Sequence, residues 1–287
     1  MRASAFFCVL FYLFYLSGAA GARAGAWLYP EGQGQLILTT AFANAEGAFD
    51  ASGRLVKTPS YRKFETRFYL EHGVTDWLTF VGEGNAMSFR AAADPASVNQ
   101  LDFLIAEAKA GQPLLPPPPP KGTTYEGLGL GAVGTRIRLF TYGDYIFSAE
   151  ASIRAASTEA RRFLDMRDPT QLDARLLVGR SFSLFGFSGF LDTQIGYRNR
   201  GQNGDEIRMD LTAGVRPLDR LTLMAQSFSA VAPRGGISTI VAAQKYQLSA
   251  VYEATPKVSV QIGAVAALGG VNSPAERGLI GAVWWRY

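Results

Sequence analysis

The sequence predicts an all-β protein: a single antiparallel transmembrane β-barrel of about 12 strands, with the N- and C-termini periplasmic. Three observations carry this expectation. The composition falls between that of a soluble domain and that of a helical membrane protein. Short runs alternate apolar and polar residues along almost the whole chain. The connections between those runs alternate short and long.

Of the 287 residues, 48% are hydrophobic, 12% aromatic and 18% charged, and the mean hydropathy is +0.05. A soluble domain is usually about a quarter charged. After residue 24, no stretch approaches the roughly 20 successive apolar residues of a membrane helix. Membrane barrels occupy the interval between these classes, because only every second residue of a strand faces lipid.

The first 24 residues read as a signal peptide. Arg2 gives a positive start, Ala5 to Leu16 is apolar throughout (AFFCVLFYLFYL), and Ala22-Arg23-Ala24 has the small-x-small form of a cleavage site. An uncleaved amino-terminal anchor is the other reading of this segment. Cleavage would leave residues 25–287 as the barrel. Cys8, the one cysteine, lies in the leader. An exported chain without cysteine is not a small disulfide scaffold. Two of the 28 basic residues, Arg2 and Arg23, and none of the 24 acidic ones fall in the leader, so the mature chain carries 26 and 24. It has no basic stripe of the kind that binds nucleic acid.

Strands are expected at roughly 33–45, 60–72, 77–89, 124–140, 145–156, 171–182, 187–199, 205–216, 220–231, 240–253, 257–268 and 277–287. In TRFYLEHGVTDWLTFVGEG, Phe64, Thr66, Phe68 and Leu70 alternate with Lys63, Glu65, Arg67, Tyr69 and Glu71. The chain turns at Gly73–Asp76 and alternation resumes at Leu78. Such a hairpin has one apolar and one polar face. The same form returns at RMDLTAGVRPLDRLTLMAQ and YQLSAVYEATPKVSVQIG. Short turns are expected near 73–76, 141–144, 183–186, 217–219 and 254–257. Longer connections are expected near 46–59, 90–123, 157–170, 199–205, 232–239 and 269–276. Short turns on one side and long loops on the other suit an outer-membrane barrel.

The long connection 90–123 stands apart. Val98, Leu101, Leu104, Ile105 and Ala108 have helical spacing, and LLPPPPPKG follows as a stiff polyproline stretch. A short helix on a rigid strut could cover the barrel mouth, or the whole segment could be a surface loop.

The chain ends in GLIGAVWWRY. Val283, Trp285 and Tyr287 share one face, with Trp284 and Arg286 on the other. A last strand that closes on the first must be paired to its end, because an open edge in lipid is very costly. An aromatic at the interface would anchor it. These three residues form the expected barrel-closing signal.

Nothing in the sequence indicates catalysis, a metal or a cofactor. His72 is the single histidine, at a strand end beside a turn. One histidine and no mature cysteine give little for a metal. Triads are recognised by geometry rather than spacing, so a lipid-modifying barrel using His72 as base remains an alternative. The Gly-rich GLGLGAVG (127–134) continues as a strand and is read as close packing or barrel curvature. The informative polar set is the face opposite lipid: Lys63, Glu65, Arg67, Glu71, Glu83, Arg136, Arg138, Glu150, Arg154, Asp173, Arg175, Asp192, Arg198, Arg208, Asp210, Arg216, Lys245, Glu253 and Arg286. These 19 residues comprise 11 basic and 8 acidic side chains. They could line a water-filled pore with a slight cationic bias, or pair into a lattice that fills the interior. Twelve strands lie between the eight that side chains can fill and the sixteen that leave a channel.

GAWLYPEGQGQLILTTAF, YRKFETRFYLEHGVTDWLTF, GVRPLDRLTLMAQSF and QKYQLSAVYEATPKVSVQIG resemble XagA-like outer-membrane proteins of proteobacteria. The resemblance spans most of the mature chain. It implies a barrel in the outer membrane of a Gram-negative bacterium and a link to exopolysaccharide or adhesin export. It supplies no catalytic residues. The expected partners are outer-membrane lipids, the barrel-insertion machinery and a surface polysaccharide or its export proteins. Three functions stand open: passage of a hydrophilic saccharide or anionic molecule, a non-conducting barrel that supports polysaccharide assembly or anchoring, and lipid modification.

Overall fold

The structure is a computed structural model and describes residues 25–92, 122–164, 166–234 and 239–287. The expected leader lies outside the described residues, as does 93–121, which holds the expected helix and polyproline stretch.

Twelve long strands form one antiparallel sheet that closes on itself. They begin with β1 (Gly34–Phe49), β2 (Leu55–Thr75), β3 (Leu78–Ala91), β4 (Thr123–Tyr142), β5 (Tyr145–Ala156) and β6 (Thr170–Leu184). The second half is β7 (Phe187–Asn199), β8 (Glu206–Leu218), β9 (Leu221–Arg234), β10 (Thr239–Glu253), β11 (Val258–Val271) and β13 (Arg277–Arg286). The two-residue β12 (Ser273–Pro274) pairs with the end of β1. Each long strand pairs with its neighbour in sequence, and β1 pairs with both β2 and β13. Closure leaves no strand edge along the wall, which is what a hydrocarbon environment demands.

The expected runs at 145–156 and 187–199 coincide with β5 and β7. The largest departure is at 46–59, expected as a long loop. Both strands continue into it, and only Asp50–Arg54 connects them. Pro59 obscured this extension. It is tolerated because Pro59 falls where the β1–β2 register slips, between the Ala45–Tyr61 and Gly47–Lys57 pairs, and before the β2–β3 ladder begins at Tyr61, so proline removes no ladder bond.

Two-residue turns follow β2, β4, β6 and β8, and a four-residue turn follows β10. Tyr287 and the described amino-terminal segment lie at this short-turn end. At the other end, the connection 157–169, expected as a loop, carries helix α1 (Thr158–Phe163), capped by Ser157 Oγ accepting from Ala160 N at 3.0 Å.

Strand parity divides the side chains. Leu38, Phe68, Ile153, Leu176, Ile195, Ile207, Leu248 and Ile262 are exposed on the outer face. Glu71, Arg136, Ser148, Asp173, Asp192 and Arg198 are buried on the inner one. Polar inside and apolar outside inverts the pattern of a soluble barrel. Exposed aromatics gather at the short-turn end, among them Trp77, Phe140, Tyr142, Phe185, Phe187 and Trp285.

Candidate functional site: a partly filled lumen

Sixteen of the 19 residues expected on the inner face form ion pairs. They fall into groups. Arg136 is 2% exposed and lies between two carboxylates. Its Nη1 donates to Glu71 Oε1 at 2.6 Å, its Nη2 to Glu150 Oε2 at 2.7 Å, and its Nε to the same oxygen at 3.0 Å. Tyr69 and Gln35 complete this group by donating to Glu71. Buried charges persist only when compensated in this way.

A second group spans β6, β7 and β8. Asp173 accepts from Arg175 Nε and from Arg198 Nε, each at 2.7 Å, while Arg175 also reaches Asp210 at 3.4 Å. Arg198 and Arg208 share Glu206. Arg154 pairs with Glu83 from β3. Nearer the long-loop end, Glu65 accepts from Arg67 at 2.8 Å and lies 3.8 Å from Lys63. Lys63 and Lys245 converge on Glu276, which also accepts from Tyr61 at 2.6 Å. Burial alone would raise the Glu276 carboxyl, but Lys245 and Lys63 with their hydrogen-bonding neighbours hold it down at about 2. Arg216 pairs with Glu253 at 2.8 Å near the short-turn end, where Arg286 donates to Ser259 at 3.1 Å. Arg138 is exposed at that rim, with no ion pair among the described residues. Asp192 is engaged differently.

Sequence reasoning missed the chain before β1. Gly25–Gln33 does not hang outside the barrel. It enters the short-turn end and crosses the interior. Ala26, Leu28 and Tyr29 are all buried. At the β1–β2 side, Gly32 N donates to Gly73 O at 2.9 Å and Gly73 N to Gln33 O at 2.8 Å. At the opposite wall, Ala26 N donates to Asp192 Oδ2 at 2.7 Å and Ser148 Oγ to Ala26 O at 2.6 Å. The Trp27 ring meets Phe190 edge to face at 6.3 Å, against a cluster of Phe190, Met224 and Val251 that Trp284 also joins. Gly179 makes room for it: a Cβ there would lie 2.6 Å from the indole. The available signal was GAWLYPEG itself, too apolar for a solvated tail.

The segment does not fill the bore. Beside it lies a cavity of about 470 Å³. Tyr29 and Gln33 line one side and Arg216, Glu253, Trp284 and Arg286 the other. At the long-loop end Phe163 of α1 stacks on Tyr125 at 4.6 Å and meets Phe89 at 5.4 Å, and Phe89 meets Tyr61 at 5.0 Å. The covering element among the described residues is therefore α1.

The seam is closed to the last residue. Gly34 and Tyr287 exchange backbone hydrogen bonds, both 3.1 Å, and Trp285 and Val283 pair with Leu36 and Leu38. Val283, Trp285 and Tyr287 all point outward. His72 stacks on Tyr287 at 5.9 Å between ring centres, with Nδ1 3.3 Å from the phenol oxygen. It therefore serves the seam.

No family model matches the sequence, and no curated protein matches it. Solved structures do match. The chain is similar to an outer membrane channel from Pseudomonas putida F1, with TM-score 0.65 and 11% identity over 93% of this chain and 100% of that one. It is similar to the NanC porin with TM-score 0.52 and 9% identity, over 88% and 100%. It also matches the transport unit of the autotransporter AIDA-I from Escherichia coli, with TM-score 0.50 and 8% identity, over 99% and 98%. At these identities the likeness is one of fold, and function is argued from the site.

Proposed function

We propose that this chain is an outer-membrane channel of a Gram-negative bacterium that passes a small hydrophilic molecule, saccharide or anionic, along a lumen narrowed by Gly25–Gln33. The single observation that carries this is the open cavity beside the segment, walled by Arg216, Glu253 and Arg286. An apolar outer face with an aromatic band places the wall in lipid. The short-turn end then faces the periplasm, with both termini. The channel and porin named above support the reading as relatives in fold. Outer-membrane lipids and the insertion machinery are the general partners of such a wall. The resemblance to XagA-like proteins makes a surface polysaccharide or its export apparatus the specific candidate.

A second reading is a non-conducting barrel that anchors or assembles polysaccharide through its loops. The density of ion pairs around Arg136 and Asp173 favours it. Single-channel recording of the mature protein in a planar bilayer separates the two. Under the channel reading, Arg216→Glu with Arg286→Glu shifts the reversal potential in a salt gradient toward cations. A folded barrel that stays silent in both forms would leave the anchoring reading.

A further inference from the structure

Asp192 is the one member of the inner polar set that is buried, ionisable and without a cationic partner among the described residues. It is 2% exposed. Its carboxylate accepts from Ala26 N at 2.7 Å and from Gln194 Nε2 at 2.8 Å, both neutral donors. Arg136 is committed to Glu71 and Glu150. A buried carboxylate left without a counter-charge is costly, and proteins rarely leave one so. Gly25 packs directly against it: a Cβ at Gly25 would lie 2.0 Å from Asp192 Oδ2, so any larger residue would have to displace the carboxylate or the terminus.

The expected cleavage falls between Ala24 and Gly25. Hydrolysis of that amide adds one water and leaves a carboxylic acid on the leader and an amine on Gly25. An α-amine has an ordinary pKa of about 8 and is largely protonated at neutral pH. We propose that the mature amino terminus is the missing partner: the Gly25 ammonium forms a buried ion pair with Asp192, and this pair tethers the segment across the lumen. The leader occupies the same covalent position as a neutral amide, so its removal both frees the chain and creates the charge that fastens the plug. The ligand recognised by Asp192 is a primary ammonium, and the chain supplies it itself.

The test uses protein expressed with its leader and extracted folded from the outer membrane. Intact mass and amino-terminal sequencing are expected to give Gly25 as the first residue; a different first residue overturns the proposal. The folded barrel is then pulsed at neutral pH with an amine-reactive ester, and modification of Gly25 is read by mass spectrometry against the exposed Lys57 side chain of the same molecule. The wild-type α-amine is expected to react slower than in the unfolded chain by on the order of tenfold or more, as befits a charge-assisted bond. Asp192→Asn is expected to remove that protection while Lys57 is unchanged. Equal protection in wild type and Asp192→Asn overturns the proposal. Gly25→Ala, whose methyl displaces the terminus and leaves the wall intact, is expected to behave like Asp192→Asn. It keeps the test decisive if the Asn variant does not fold. Heat-dependent gel mobility reports folding of each variant. None of these readouts depends on conduction, so failure of the channel reading would be seen separately.

Discussion

Arg136 of β4 donates to Glu71 of β2 over the intervening strand, at 2.6 Å. The contact stiffens the wall across three strands and is shielded from solvent. Arg136→Met would leave Glu71 and Glu150 without their cation. Breaking a buried pair from one side typically costs about 3–5 kcal/mol. Urea unfolding of the reconstituted barrel should show a loss of that order. Replacing Glu71 and Glu150 with apolar residues in the same background should recover much of it.

Trp27 is held between Gly179 and Phe190. Trp27→Ala removes the largest side chain of the crossing segment and merges its space with the neighbouring cavity. Single-channel conductance should rise severalfold, with little change in the thermal transition of the wall. Gly179→Val should act in the same direction by ejecting the indole.

Glu276 gives the barrel a defined acid limit. Its folded value of about 2 lies below the ordinary 4.5, so the folded state binds this proton less readily than the unfolded chain. Its contribution is therefore complete above about pH 4.5 and lost as pH falls toward 2. A shift of this size corresponds to roughly 3 kcal/mol. Glu276→Gln should flatten the acid limb of stability against pH in that window and lower stability at neutral pH.

Orientation is testable because the sequence has no cysteine after Cys8. In intact cells an impermeant maleimide should label a cysteine placed at Ser52, at the long-loop end, and not one placed at Asp144, in the turn between β4 and β5. The reverse pattern would invert the barrel.

His72→Ala should leave lipid hydrolysis by the purified barrel at background, as in wild type. Tyr287→Ala should lower the yield of folded barrel, because its ring covers His72 at the seam.

The wall was legible in the sequence because its two faces meet different solvents, and period-2 alternation records that difference residue by residue. Lys63–Glu71 and Lys245–Glu253 could be assigned to faces from alternation alone. What the wall encloses was not legible. Gly25–Gln33 has no periodicity, and Pro30 interrupts it; its burial follows from the shape of a lumen that no local window contains. Glu276 sits in a connection, and its role depends on Lys63 and Lys245, distant in sequence. Helix α1 is six residues long, too short for a helical period to register, and only its Ser157 cap marks it. The seam was legible at its last residues, because an unpaired aromatic terminus would be hard to explain otherwise.

The β1–β13 ladder has a consequence for the order of assembly. Gln35 pairs with Arg286, about 250 residues away, whereas every other pair of long strands is joined by neighbours in sequence. Contacts at such separation carry the largest loop-closure cost and form late. Eleven hairpin steps can accumulate before the first and last strands meet. Gly25–Gln33 is continuous with β1, so the strand that completes the ring also brings in the segment that narrows it. A barrel caught before this step would be a curled sheet with live edges on β1 and β13, and the final zippering of these two strands removes both.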